Sequence, residues 1–169
     1  MAQATVTASV VRQHVASLLT RGSRGKLGII PLAREDDLDL VVSTPHDGPG
    51  VIGLRIETAS RLSKGHFGEW LVIDAIAPGA HFQNDPRAVY LFGEFAATEK
   101  VFASPVFIVP AALLQEKPGV KGRSARISFR ARLDGVNQEW SDFAFAPERL
   151  GAHLLDLLGD MPQYSQQAA

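Results

Sequence analysis

Apolar residues recur along the chain with two periods, and the switches between them mark its elements. Residues 5 to 20, "TVTASVVRQHVASLLT", place Val6, Val10, Val11, Val15, Leu18 and Leu19 at the three-and-four spacing of one helix face. Thr5, Thr7 and Ser9 are each able to cap it, and none has the Glu or Gln three residues on that would single it out. "RGSRGKLG" is a glycine-punctuated loop that ends this helix. "LGIIPLA" predicts a short strand, with Pro31 pointing to an edge or an end. "DLDLVVST" predicts a second strand, with Leu38, Leu40 and Val42 on one face and Asp37, Asp39 and Val41 on the other. "PHDGPG" has the composition of a turn, and "VIGLRIETAS" is a third strand. Residues 38 to 60 therefore form a predicted hairpin.

Period-two and unbroken apolar runs then dominate. "FGEWLVIDAIA", "VYLFGEFA" and "SPVFIVPAALL" are three further predicted strands, the last running into a helical turn at "PAALLQ". Trp70 and Trp140 sit in apolar, strand-like surroundings, which favours the core. "SARISFRARL" alternates cleanly: Ala125, Ile127, Phe129 and Ala131 oppose Arg126, Ser128, Arg130 and Arg132. That is a half-exposed strand with a basic outer face. "APERLGAHLLDLL" is the clearest helix, with Pro147 near its first turn and Leu150, Leu154, Leu157 and Leu158 on one stripe. The order is helix, six or seven strands, helix, an α+β domain over residues 1–160 with a frayed tail at 161–169.

Composition narrows the function. With 169 residues, 46% of them hydrophobic and 21% charged, the chain suits one globular domain with a full core. The absence of cysteine excludes disulfides, zinc knuckles and thiol catalysis. No apolar run approaches the roughly 18 residues of a spanning helix. The N-terminus lacks the features of a signal peptide, so a cytoplasmic location without membrane contact is expected. Net charge is −1, yet the charges come in blocks. Residues 1–34 carry Arg12, Arg21, Arg24, Lys26 and Arg34 and no acid. Residues 35–57 bring Glu35, Asp36, Asp37, Asp39, Asp47 and Glu57 against Arg55 alone. Lys117, Lys121, Arg123, Arg126, Arg130 and Arg132 form a second basic block. A basic rim around an acidic centre suits a phosphodiester; solvated faces are the plainer explanation.

The candidate chemistry lies in the hairpin. In an extended "GLRIETAS", Arg55 and Glu57 share one face while Leu54 and Ile56 occupy the other. A hairpin partner can bring Asp39 to the same end of a sheet. Carboxylates holding a divalent metal, with a cation beside them, are what phosphodiester hydrolysis requires. A same-face ion pair worth less than about 1 kcal/mol is the competing explanation for Arg55 and Glu57. For Asp39 it is a solvated carboxylate. His14, His46, His66, His81 and His153 show no metal-type spacing.

The stretches "VASLLTRG", "IIP", "DLDLVV", "GLRIETAS" and "SPVFIVPAALL", in this order, resemble the PD-(D/E)xK nuclease-like superfamily, in particular its small members related to archaeal resolvases and restriction endonucleases. The resemblance covers residues 10–115. It implies a restriction-endonuclease-like fold, a mixed central sheet of about six strands flanked by the N-terminal and C-terminal helices. It places Asp39 on the family's metal-binding Asp. Arg55 falls where the second acid belongs and Glu57 where the lysine belongs, so the two charges are exchanged. Gln13 and His14 stand where some members carry a Glu.

The expectation is therefore a catalytically degenerate nuclease-like domain that binds DNA, RNA or a protein partner, with Arg126, Arg130 and Arg132 as the nucleic-acid contact. The alternatives are an active Mg-dependent nuclease and a purely structural module, such as a homodimer. In the active case Asp39 and Glu57 hold the metal, and Arg55 or Lys64 supplies the cation.

Overall fold

The computed structural model describes residues 8–32, 38–45, 50–59, 62–65, 68–76, 79–115, 126–134 and 139–160. Helix α1 spans Ala8–Gly22 and is followed by β1 (Gly28–Pro31), β2 (Leu40–Ser43) and β3 (Val51–Ala59). Then come β4 (Ser63–Gly65), β5 (Gly68–Ile76), α2 (Ala80–Asn84), β6 (Ala88–Ala96), β7 (Val101–Phe102) and β8 (Val106–Pro110). The remainder is α3 (Ala111–Gln115), β9 (Arg126–Arg132), β10 (Ala144–Phe145) and α4 (Leu150–Asp160). The fold is α+β, as the pattern predicts. Parts of all three charge blocks (Arg34, Glu35, Asp36, Asp37, Asp47, Lys117, Lys121 and Arg123), His46, His66 and the tail at 161–169 lie outside the described residues.

The main sheet runs β1-β2-β3-β6-β8-β10, with β7 pairing β6. Among the described strands only β3 and β6 run parallel; their neighbours pair antiparallel. A parallel pair needs a crossover, and here the crossover itself contains β4 and β5. These join β9 in a smaller sheet, ordered β4-β5-β9. Its sequence gives no local sign of this, because periodicity reports which residues face inward and not which sheet a strand joins. Pro31 sits on the edge strand β1, as expected of a residue that cannot donate to a ladder.

Two apolar layers sandwich the main sheet. On one face, Val11, Val15, Leu18 and Leu19 of α1 and Leu150, Leu154 and Leu158 of α4 cover Leu40, Leu54, Val89, Leu91 and Ile108. On the other, Tyr90, Phe92, Phe107 and Val109 meet Leu71, Ile73, Ile127, Phe129 and Ala131 of the smaller sheet. Central strands β6 and β8 are thus buried on both faces, which explains the unbroken runs "AVYLF" and "VFIV". Aromatic rings tie the second layer together: Phe92 stacks on Tyr90 at 5.3 Å and on Phe129 at 4.1 Å.

The helices meet through glycine. A Cβ on Gly151 would stand 2.4 Å from the Leu19 carbonyl oxygen and 2.4 Å from the Ser23 nitrogen, both backbone atoms. Of the glycines in "RGSRGKLG", Gly22 faces this contact, whereas Gly25 adopts φ +74° and turns the chain out of α1.

Candidate functional site

Arg55 and Glu57 lie side by side on β3, as their spacing predicts. The Arg55 Nε donates to the Glu57 Oε1 at 2.8 Å. Their face is the one turned to the smaller sheet, because Arg55 pairs in register with Tyr90 and Glu57 with Phe92. Both side chains are only 14% and 12% exposed, so this is no solvated surface pair. An Arg55 Nη2 also donates to the Ile76 carbonyl at 3.3 Å, reaching from the main sheet to the end of β5. The pair pins one sheet to the other. The overlying β5 removes it from water, and nothing within "GLRIETAS" foretells that cover.

Asp39 departs from expectation in two respects. It is 7% exposed rather than solvated, and the alternation through "DLDLVV" breaks at it. Leu40 belongs to the helix-side layer, whereas Leu38 packs with the layer beneath the smaller sheet. The cause lies in the ladder. Leu40 is the register partner of Leu54, yet the Asp39 nitrogen also donates to the Leu54 carbonyl at 3.0 Å. Two residues of one strand thus face one of the other, which is a β-bulge and shifts the phase by one. Gly53 makes room for the displaced Leu38, whose Cδ2 would lie 2.9 Å from a Cβ there. At Ile56 the Asp39 Oδ2 accepts the backbone N–H at 2.8 Å. The carboxylate takes the place of a ladder carbonyl.

Lys64 stands elsewhere. On β4 it pairs with Glu69 near the start of β5, while the Arg55 guanidinium contacts Ile76 at the far end. Seven residues of strand separate these points, about 23 Å at a rise of about 3.3 Å per residue. Near Lys64 the carboxyl of Glu94 is pushed up by burial and by the Glu69 carboxylate. The structure thus joins Arg55 to Glu57, directs Asp39 to backbone, and leaves Lys64 at the opposite end of the smaller sheet. Among the described residues, no three His, Asp or Glu side chains gather as a metal-holding group. One carboxylate oxygen of Asp39 is engaged by an amide and one of Glu57 by a guanidinium.

The basic strand forms a different kind of surface. Burial along β9 alternates from Arg126 to Arg132, with Ile127, Phe129 and Ala131 inward and Arg126, Ser128 and Arg130 outward. In register across β5, Arg126 lies opposite Ile76, Ser128 opposite Asp74, Arg130 opposite Val72 and Arg132 opposite Trp70. Trp70 is therefore on the outer face and half-buried, a correction to its expected place in the core; Trp140 is buried. The Arg132 guanidinium carbon lies 5.9 Å from the Trp70 ring centroid, and an Arg132 Nη2 also pairs with Asp134. The signal was present in "EWLVID": Trp70 shares its parity with the charged Asp74, and Leu71 and Ile73 take the other. Ile76, 74% exposed, extends the same face.

No protein-family model matches the chain, and no curated protein matches it. Among the described residues no helix is long and apolar enough to cross a membrane.

Proposed function

We propose that this chain is a nuclease-like domain that has exchanged hydrolysis for binding, and that it holds single-stranded nucleic acid on the outer face of the smaller sheet. One observation carries the reading: Arg126 and Arg130 project from β9 beside a half-buried Trp70 with Arg132 over its ring. Cations that meet phosphates, alternating with an aromatic face on which an unpaired base stacks, are the ingredients of sequence-tolerant single-strand binding. An exposed aromatic face favours open strands over a duplex, whose bases are already stacked. Asp74 interrupts the positive field between Arg126 and Arg130, so recognition is local and not driven by the net charge of −1.

The nuclease-like part of the reading is supported by the helix-flanked mixed sheet and by the order of the hairpin motifs. The absence of hydrolysis is supported by the partners of Asp39 and Glu57 described above. Fluorescence anisotropy with short oligonucleotides across a salt series tests the binding. Two phosphate contacts, by Arg126 and Arg130, predict a slope of log K against log salt of about −1.4, since each single-strand phosphate contributes about −0.7. Negligible binding even at low salt contradicts the reading.

A protein partner is the second reading, favoured by the position of β9. It lies at the margin of the smaller sheet, where one edge of its backbone faces no strand among the described residues. A second copy of the chain added at this edge would appear as a dimer mass in light scattering.

A further inference from the structure

On the far side of the molecule, a cleft of about 480 Å³ opens between the C-terminal half of α1, β7 and the turn that precedes α4. Its volume is that of a small-molecule site. Leu18 and Phe102 are buried in its wall, and Val101, 41% exposed, offers an apolar side chain to whatever enters. His14 lies half-buried beside them, its ring 5.6 Å from Phe95 and 5.9 Å from Phe102. Two opposite charges complete the lining, Arg21 from α1 and Glu148 from the turn at Pro147–Arg149. Both are exposed, and they form no ion pair with each other. Burial, together with the positive charge of Arg21, holds the His14 imidazole below its ordinary pKa. At neutral pH it is uncharged, leaving one full cation and one full anion around an apolar wall.

We infer that this cleft binds a small apolar zwitterion with the chemistry of a free amino acid such as leucine or phenylalanine. The carboxylate meets Arg21, the ammonium meets Glu148, and the side chain rests on Leu18, Val101 and Phe102. Unpaired opposite charges held on separate elements across a cleft are complementary to a ligand that carries both signs at fixed separation. The site belongs to the helix-side layer and does not depend on the nucleic-acid reading, whose residues occupy the smaller sheet.

The test is a titration of the full chain with leucine and phenylalanine, followed by calorimetry and by the His14 imidazole resonances. Glycine, N-acetyl-leucine and leucinamide serve as probes that lack the side chain, the ammonium and the carboxylate in turn. The expected result is saturable binding of the two apolar amino acids and a loss of about tenfold or more for each probe: for glycine the apolar burial of the missing side chain, for the two blocked probes the worth of a hydrogen bond to a charged group. Arg21→Gln then removes the discrimination against leucinamide and keeps that against N-acetyl-leucine; Glu148→Gln does the reverse. Both side chains are exposed, so the variants retain the fold, which circular dichroism verifies. Absence of saturable binding by either amino acid overturns the inference. So does equal binding of the blocked probes, or unchanged affinity in both variants.

Discussion

An acid two residues from a base is one of the least specific signals a sequence carries, and here its meaning is decided by what covers it. Arg55 and Glu57 face the smaller sheet, paired at 2.8 Å and almost out of water. Removing one partner of such a pair leaves a charge in a poorly hydrated place. Replacing both by apolar residues of similar size relieves the desolvation of each. Urea denaturation should therefore show Arg55→Ala and Glu57→Ala each losing about 2–3 kcal/mol, while Arg55→Met with Glu57→Leu stays within about 1 kcal/mol of the parent. Single variants as stable as the parent would mean that the pair pins nothing.

Asp39 makes a sharper test, because a ladder substitute and a charged ligand respond differently to the same change. Asp39→Ala orphans the Ile56 N–H and should cost about 1–3 kcal/mol, whereas Asp39→Asn keeps an acceptor oxygen and should recover most of it. Asn as damaging as Ala would show that the charge itself is needed. Two histidines add a pH dependence. Burial lowers the pKa of His14 and His153, and nearby Arg21 and Arg149 act in the same direction, with Asp156 opposing at His153. Folded, these imidazoles take up protons at lower pH than unfolded ones do. Their contribution is thus whole above the ordinary value of about 6.5 and is lost as pH falls below it towards their folded-state pKa. Thermal unfolding should show Tm falling over that range, and His14→Phe with His153→Phe should flatten the fall.

At the scale of elements, long periodic stretches were legible and several of the shortest were not. The stripe of Leu150, Leu154 and Leu158, the alternation of β9 and the continuous runs of β6 and β8 all repeat often enough to set the buried face. β4, β7, β10 and α2, of two to five residues, contain too little period to detect. The phase slip in "DLDLVV" was hidden for another reason. It depends on a bulge in the pairing with the next strand, which no pattern within β2 records. The same-face placement of Arg55 and Glu57 follows from strand geometry alone, whereas their burial arises from a crossover made later in the chain. Between α1 and α4, glycine allows contact of backbone with backbone, so Gly151→Ala should cost about 1–3 kcal/mol or more, because no flexible side chain can move aside. A Tm equal to that of the parent would show that the helices can separate without cost.

The whole molecule is a mixed sheet with α1 and α4 on one face and the smaller sheet, with α2 and α3, on the other, and the two outer surfaces differ in kind. The helical side holds an apolar cleft flanked by two opposite charges. The sheet side presents arginines and a tryptophan from paired strands. Between them, Arg55 and Glu57 form a pair that reaches from the main sheet to the smaller one, and Asp39 bonds the backbone of β3. Binding without cleavage is the function proposed above for the sheet side. Its most direct test is the tryptophan fluorescence of the chain during titration with an oligothymidine at low salt. Trp70 is half-buried on the outer face and Trp140 is buried, so stacking of a base should quench the emission saturably. Trp70→Phe should abolish the quenching, and Arg130→Ala should shift the titration to higher concentration. Saturable quenching that persists in Trp70→Phe, or no quenching at all in the parent chain, would contradict the account.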